Sequence, residues 1–271
     1  GCQRAAVAGC GVEPLGLDGA ASGAWGAAGG AARLYLGGVA APDAGAARGD
    51  KAEAVFGLIE RALGTAGMSF ADVARTWFYN DRILDWYAEF NGVRTEFFRK
   101  HDVRKMPAST GIGAPNPAGA ALVAKALAIA ARQPGAASVE PARSPLQGEA
   151  FAYGSAFSRA VVIRDLCSSA LHVSGTASID PAGNTAHRGD TGAQIALTMR
   201  VVSALVQEAG MSLGDTARAV VYVREAPDIP LWEAFCREHG LGGLPAVVIG
   251  ADICRDDLLF EIELELAVPR G

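Results

Sequence analysis

Three glutamates near the end of the chain alternate with apolar residues in the segment FEIELEL. They are Glu261, Glu263 and Glu265. Successive side chains of a β-strand point to opposite faces, so this spacing predicts one face that carries all three carboxylates. Two interpretations remain open. The face is either exposed to solvent, or it lies in a pocket or subunit seam where burial tunes a carboxylate for proton transfer.

A second candidate group lies in the segment FAYGSAFSRAVVIR, which contains Tyr153 and Arg159 among small residues. Small residues beside an arginine and a tyrosine suit a turn that binds a carboxylate. The alternative interpretation is an ordinary hairpin with a surface arginine. A serine hydrolase is disfavoured, because Ser155 is not in a GxSxG motif and no histidine is paired with it by sequence.

Cys254 ends an apolar segment seven residues before Glu261. A lone cysteine in such a place is commonly a small core residue, whereas the neighbouring Arg255 would lower the thiol pKa and make the sulfur reactive. Tyr222 and Arg224 end an earlier strand, and Arg224 either faces a pocket or lies on the surface. Both alternatives stay open from the pattern alone.

Composition excludes several functional classes. The 271 residues carry a net charge of −5, which disfavours nucleic-acid binding by a basic face. No run approaches the roughly 18 apolar residues of a membrane span, and no signal peptide is recognisable. The five cysteines and four histidines show no metal-binding spacing, so we expect no metal. The high glycine and alanine content suggests a bacterial gene, and we expect a cytoplasmic protein.

The elements that position these residues are arranged as an internal repeat. The segment AGMSFADVARTWFYN at 66–80 matches AGMSLGDTARAVVYV at 209–223 with an offset of 143, and Arg75 coincides with Arg218. Each copy reads as strands and helices in the order ββαβαββ, with Asp50 and Asp190 as helix caps. We therefore predict an α+β fold with a mixed sheet in each of two tandem units, each sheet covered on one face by two helices.

The composition along the chain predicts the domain boundaries. Residues 1–31 are a glycine- and alanine-rich arm, residues 32–131 form the first unit and residues 151–271 form the second. Residues 132–150 contain three prolines and are interpreted as a linker.

Several of these segments together resemble known families. The C-terminal half resembles the RidA/YjgF fold, whose members form trimers with ligand sites at subunit interfaces, and the first unit resembles a divergent copy. A closer resemblance is to the chorismatase family, in which a RidA-like catalytic domain follows a related N-terminal domain. The segments that carry it are RTWFYNDRILDWYAEFNGVRTEFF, PASTGIG, YGSAFSRA, VSGTASIDPAGNTAHRGD and ICRDDLLFEIE.

The chorismatase resemblance implies roles for individual residues. Glu261 matches the family's catalytic acid and base. Cys254, together with Gly175 in the SGTAS strand, matches the subgroup that releases 3-hydroxybenzoate and pyruvate from chorismate. Members with alanine at these two positions resemble hydrolases that give a dihydroxycyclohexadiene carboxylate, which is the alternative activity.

Chorismate is a dianion, so its binding requires two cationic or donor clusters. We assign Arg159 with Tyr153 to one cluster, and Tyr222 with Arg224 to the other. The chemistry requires no metal and no organic cofactor, and no nucleic-acid or membrane partner is expected. The resemblance is compatible with a homotrimer or with a monomer of two pseudo-symmetric domains.

Two functions from other classes remain as alternatives. RidA-type imine deaminases carry an arginine after Pro-Ala in the penultimate strand, whereas Val247 follows Pro245-Ala246 here. This difference disfavours the deaminase. The second alternative is a protein that binds small carboxylates without turnover.

Overall fold

A computed structural model describes residues 11–17, 21–41, 45–116, 119–148 and 156–270. Within these ranges the chain forms two six-stranded sheets and four α-helices. The strands and helices divide into an N-terminal and a C-terminal unit, each with one sheet and two of the helices.

The N-terminal unit contains one complete sheet and its helices. Its strands are β1 (Val12–Leu17), β2 (Ala21–Ala28), β3 (Ala31–Ala40), β4 (Val73–Asn80), β5 (Ala108–Gly113) and β6 (Leu122–Ala131). Its helices are α1 (Arg48–Thr65) and α2 (Tyr87–Lys100). The strand order is β1-β2-β3-β6-β4-β5, in which β4 and β5 are parallel and the other neighbours are antiparallel.

The C-terminal unit repeats this arrangement. Its strands are β7 (Ala137–Ala142), β8 (Ala160–Asp165), β9 (Ser168–Ala177), β10 (Thr216–Val223), β11 (Ala246–Gly250) and β12 (Phe260–Pro269). Its helices are α3 (Thr191–Glu208) and α4 (Ile229–Glu238). The order is β7-β8-β9-β12-β10-β11, and β10 and β11 are the parallel pair.

The two sheets therefore have the same topology, strand for strand. This identity confirms the internal repeat and the α+β fold class with two tandem units. The repeat also reaches farther than the sequence match, because β1 and β7 occupy equivalent outer positions. The described part of the 1–31 arm contributes β1 and β2 to the first sheet, and β7 lies within the segment 132–150.

The helices begin close to the predicted positions, with one correction. Asp190 caps α3, because its carboxylate accepts a hydrogen bond from the backbone N–H of Ala193 at 2.9 Å. Asp50 does not cap α1, since that helix already begins at Arg48 and Asp50 lies in its first turn. There the carboxylate interacts favourably with the helix dipole instead. No helix in the described ranges is long and apolar enough to cross a membrane.

Each sheet has one face under its helices and the opposite face against the other unit. Apolar side chains of α1 and α2 pack on the first sheet, and those of α3 and α4 pack on the second. On the opposite faces, Trp77 and Leu127 of the first unit pack against Val161 of the second. Ile112 packs against Tyr222 in the same way. The interface between these two uncovered faces, called the seam below, buries Glu261 and Glu263 of the last strand.

Candidate active site

Strands from both units meet at the seam and bond to each other through side chains. The N–H of Ser109 on β5 donates to Oγ of Ser174 on β9 at 2.9 Å. One residue farther along, the N–H of Gly175 donates to Oγ1 of Thr110 at 3.0 Å. These two bonds bring the parallel edge of the first sheet beside the centre of the second, so residues about 65 apart in sequence form one wall.

Glu261 lies on this wall and is 4% exposed. It stands on β12 between Tyr222 of β10 and Ala177 of β9. Burial raises the pKa of the Glu261 carboxyl to about 8; the charge of Glu263 raises it further and the charge of Arg75 opposes the rise. The carboxyl therefore carries its proton at neutral pH and can serve as a general acid. This burial contradicts the interpretation of a face exposed to solvent and fits a carboxyl buried at an interface.

Gly175 provides the space that this carboxyl occupies. A Cβ atom at position 175 would overlap Oε1 of Glu261 and would lie 2.9 Å from its Cδ. It would also lie 3.2 Å from Cγ2 of Thr110. Any larger residue at this position must displace either the acid or the facing strand.

Cys254 lies in the loop between β11 and β12 and is half-buried. Its sulfur is hydrogen-bonded to the hydroxyl of Tyr87 on α2. Burial, followed by the charge of Glu261, raises the pKa of the Cys254 thiol to about 12. Arg255 lowers this pKa, but by less than burial raises it. The thiol is thus neutral, which is the opposite of an activated nucleophile.

The same cysteine borders an open cavity of about 410 Å³. The other lining residues come from two loops of the second unit and from one residue of the first, namely Leu84, Asn184, Thr185, Arg188, Arg255, Asp256 and Asp257. The two arginines at this opening are balanced by two aspartates, and Nε of Arg188 lies 3.0 Å from Oδ2 of Asp257.

Two buried arginines flank the ring of Phe157. The guanidinium carbon of Arg94 is 5.5 Å from the ring centroid and that of Arg159 is 5.6 Å from it. Arg94 is also held by Asn91, whose Oδ1 accepts from Nη2 at 2.5 Å, and its Nη1 is 3.4 Å from Oγ of Ser109. Both guanidinium groups thus contact one ring, and Arg94 also reaches Ser109, the residue before Thr110 on the wall.

Sequence reasoning missed Arg94, although a signal was present. It follows Phe90 by four residues, and the remaining buried residues of α2 are Phe97 and Phe98. An arginine on the apolar face of an amphipathic helix is a departure from the pattern that points to a buried charge.

Three of the four side chains predicted to bind the substrate, Arg159, Tyr222 and Arg224, lie in the described part of the chain. Arg159 is buried and donates through Nε and Nη2 to the carbonyl oxygen of Gly148 at 3.1 and 2.9 Å. Tyr222 is buried beside Glu261, and burial raises the pKa of its hydroxyl above the usual 10. Arg224 donates to the carbonyl oxygen of Asp256, so it holds the loop that carries Cys254. Tyr153 lies outside the described residues.

The structure thus brings Glu261, Gly175, Cys254 and Tyr222 together at one place. Arg159 is adjacent to it, because its carbonyl oxygen accepts from the N–H of Ser174 at 3.0 Å. Within the described ranges, no three His, Cys, Asp or Glu side chains are grouped as metal ligands would be. The arrangement provides a buried acid, neutral thiol and phenol groups, and an arginine cluster, which suits proton transfer to a small carboxylate.

Comparison with known proteins identifies two related sequences and a solved structure of similar fold. No family model matches the chain. The chain is 32% identical over 253 residues to a protein named chorismatase from Streptomyces rapamycinicus, covering 84% of this chain and 73% of that protein. It is 30% identical over 220 residues to a protein named 3-hydroxybenzoate synthase from Streptomyces hygroscopicus, covering 72% of this chain and 63% of that protein, which is less than two thirds of its length.

A solved structure extends the comparison to the fold. The crystal structure of a chorismatase superimposes with a TM-score of 0.72 and covers 93% of this chain and 80% of that chain. The two sequences are 22% identical, so the similarity speaks to the fold. The two-unit architecture is shared by both proteins.

Proposed function

The chain belongs to the chorismatase family, and we propose that it is an enzyme that converts chorismate to 3-hydroxybenzoate and pyruvate, with Glu261 as general acid and base. The observation that carries this proposal is the Glu261 carboxyl buried opposite Gly175, where burial raises its pKa. The names of the two Streptomyces relatives support the choice of substrate and product.

The arginine cluster supports binding of one substrate carboxylate. Arg94 and Arg159 are fixed by Asn91, Gly148 and the ring of Phe157, so little side-chain entropy is lost when they bind an anion. Tyr153 stays a predicted member of this cluster. Tyr222 and Arg224 stay the predicted site for the second carboxylate, and Arg224 also orders the loop beside the opening.

The reaction begins with proton transfer from Glu261 to the methylene carbon of the enolpyruvyl group. The bond between the ether oxygen and ring carbon 3 then breaks as the oxygen of the 4-hydroxyl group attacks that carbon, and pyruvate leaves. Glu261, now a carboxylate, accepts the hydroxyl proton. The strained three-membered ring opens at carbon 4, and loss of the proton from carbon 3 yields the aromatic product. The atoms of chorismate equal those of the two products, so no water is consumed.

Cys254 and Gly175 favour this internal attack over hydrolysis. The neutral thiol fills space beside the acid without offering a charge that would hold a water molecule. Glycine at position 175 lets the carboxyl sit deep on the wall. Both residues act on the shape of the pocket, and Cys254 forms no covalent bond to the substrate.

The test is to incubate the protein with chorismate, measure pyruvate with a coupled lactate dehydrogenase assay, and separate the ring products by chromatography. Release of pyruvate and 3-hydroxybenzoate in equal amounts is expected. Glu261→Gln is the matched inactive control, since the amide keeps the size of the side chain. No pyruvate from folded protein contradicts the activity, whereas pyruvate with the non-aromatic diene acid contradicts the choice of product.

We further propose that one chain is a complete catalytic unit that works in the cytoplasm. Both walls of the site come from the same chain, because β5 of the first unit and β9 of the second bond to each other directly. Activity that stays proportional to protein concentration, measured beside light scattering, tests the claim. A specific activity that falls on dilution would show that the site needs a second copy.

A further inference from the structure

Two arginines related by the internal repeat converge on Glu263. Nη2 of Arg75 lies 2.8 Å from Oε2 of the carboxylate, and Nη2 of Arg218 lies 3.1 Å from Oε1. Nε1 of Trp77 also donates to Oε1, at 3.2 Å. Arg75 and Glu263 are each 1% exposed, and they come from different units. The carboxylate is therefore clamped across the seam by donors on both of its oxygens.

Arg75 also connects this ion pair to the acid. The same Nη2 donates to Oγ1 of Thr110 at 2.6 Å, and that oxygen accepts the N–H of Gly175. Gly175 in turn faces the Glu261 carboxyl. Arg75 has no further hydrogen-bond acceptor at Nε or Nη1 among the described residues, so Glu263 is the main compensation for its buried charge.

The charges that act on Glu261 are those of this ion pair, while Arg218 lies behind Glu263 and is shared between Glu263 and Glu265. The titratable groups around it are Glu263 on β12, Arg75 on β4, Tyr222 on β10, Tyr87 on α2 and Cys254 before β12. Burial raises the pKa of both phenols and of the thiol, so these three are neutral. The neighbouring segment of β9 contributes Gly175 and Ala177, which do not titrate.

We propose that Glu263 and Arg75 are positioning residues for the reaction, which hold one negative and one positive charge behind Glu261 and thereby fix both its location and its proton. The inference rests on the proposed role of Glu261 as the acid. Neither residue touches the substrate in this scheme; both act through Glu261 and through the wall formed by Thr110 and Gly175.

The distance between the glutamates sets the size of the effect. Side chains two residues apart on one strand face are roughly 7 Å apart. At an effective dielectric constant of about 20, two like charges at that distance move each other's titration midpoint by about one to two pH units. Turnover requires the protonated acid, so the rate falls as pH rises through the Glu261 midpoint near 8.

The experiment compares the pH dependence of kcat/KM in three variants. Glu263→Gln removes the negative charge and leaves Arg75 uncompensated, which lowers the pKa of Glu261. The pH at which kcat/KM falls to half of its maximum should therefore decrease by about one to two pH units. The rate at pH 5 is then retained while the rate at pH 8 falls about five- to fiftyfold. Arg75→Gln removes a positive charge, so it should raise the pKa of Glu261 and the pH at which kcat/KM falls. The double variant buries neither charge, is expected to fold, and returns the midpoint to near the wild-type value.

Glu265→Gln is the matched control. Glu265 lies on the same face, one step farther from Glu261, and its side chain is 20% exposed. Its removal should therefore shift the pH at which kcat/KM falls by less than half as much. A merely structural role for Glu263 would instead lower the rate equally at every pH. That result, or shifts of the same sign in the Glu263→Gln and Arg75→Gln variants, would overturn the proposal.

A second readout does not depend on activity. The carbon-13 resonance of the Glu261 carboxyl, assigned in glutamate-labelled protein by its loss in Glu261→Gln, reports the midpoint directly. It should move down in Glu263→Gln and up in Arg75→Gln. If the protein releases no pyruvate, the proposed function fails, while this titration still decides whether the ion pair controls the proton on Glu261.

Discussion

Replacing Glu261 by glutamine should stabilise the protein at high pH while abolishing turnover. A glutamine keeps the size and one carbonyl acceptor of the side chain but cannot ionise. In the folded protein the pKa of Glu261 is raised from 4.5 to about 8. Each pKa unit is worth about 1.4 kcal/mol, so forcing the folded wild type to lose this proton costs up to about 5 kcal/mol.

The sign follows from proton counting. Between about pH 4.5 and 8 the folded wild type keeps a proton on Glu261 that the unfolded chain has released, so the contribution of this group to stability falls as pH rises. The variant lacks this titration and shares all the others. The difference in free energy of unfolding between variant and wild type should thus be small near pH 4.5, widen by about 1.4 kcal/mol per pH unit, and level off above pH 8.

Urea unfolding followed by circular dichroism from pH 5 to pH 9 measures this difference. Glu238→Gln, at the exposed C-terminal end of α4, is the control. An exposed carboxylate stays hydrated on folding, so its replacement should leave a difference that does not widen with pH. A constant difference for Glu261→Gln as well would show that the carboxyl is ionised in the folded protein at neutral pH, and would refute its role as an acid.

Three further predictions follow from single side chains. Gly175→Ala should lower the ratio of 3-hydroxybenzoate to the dihydroxycyclohexadiene carboxylate while pyruvate is still released, because its Cβ overlaps Oε1 of Glu261 and forces the end of that side chain to move. Gly57→Ala, with open space around it on α1, should leave the product ratio unchanged and raise stability by about 0.5–1 kcal/mol. Iodoacetamide at pH 7.5 should alkylate exposed Cys167 well before Cys254, whose thiol pKa is about 12, as judged by peptide mass spectrometry. Burial lowers the pKa of His172 to about 3, so the stability that this neutral imidazole contributes is lost as pH drops below about 6.5; in urea unfolding, the free energy of unfolding of His172→Gln should therefore rise relative to that of the wild type as the pH is lowered.

The tandem architecture was predictable because the repeat leaves a sequence signal. The matched Ala-Gly-Met-Ser segments end equivalent helices, and the strands that follow, β4 and β10, take the same place in their sheets. Strand β2 was not predicted as structure. Its sequence ASGAWGAA consists mainly of small residues, which show no alternation between an apolar and a polar face.

The site was predictable only in part, for a physical reason. Alternation placed Glu261 on a face, and the family resemblance selected it and Gly175. The contacts of Arg75 with Glu263 join residues 188 apart in sequence. Such contacts are set by how two sheet faces pack, and no local periodicity encodes that packing. The same limit applies to Arg94, whose departure from the apolar pattern is visible but whose neighbour Phe157 belongs to the second unit.

The two units have diverged into different parts of one site. In β12 the glutamates at 261, 263 and 265 pair with Tyr222, Val220 and Arg218 of β10. The repeat places Val123, Lys125 and Leu127 of β6 at the equivalent positions, opposite Tyr79, Trp77 and Arg75 of β4.

The first unit therefore has no acid at the positions of β6 that correspond to the glutamates of β12. It supplies the edge strand, the arginines and the phenol that cover the acid of the second unit, whereas the equivalent edge strand β11 leaves Val247 and Ile249 exposed. The seam joins unlike surfaces, since the edge strand β5 of the first unit lies beside the central strand β9 of the second. A chain of two units therefore contains one seam of this kind and, in the described residues, one such acid.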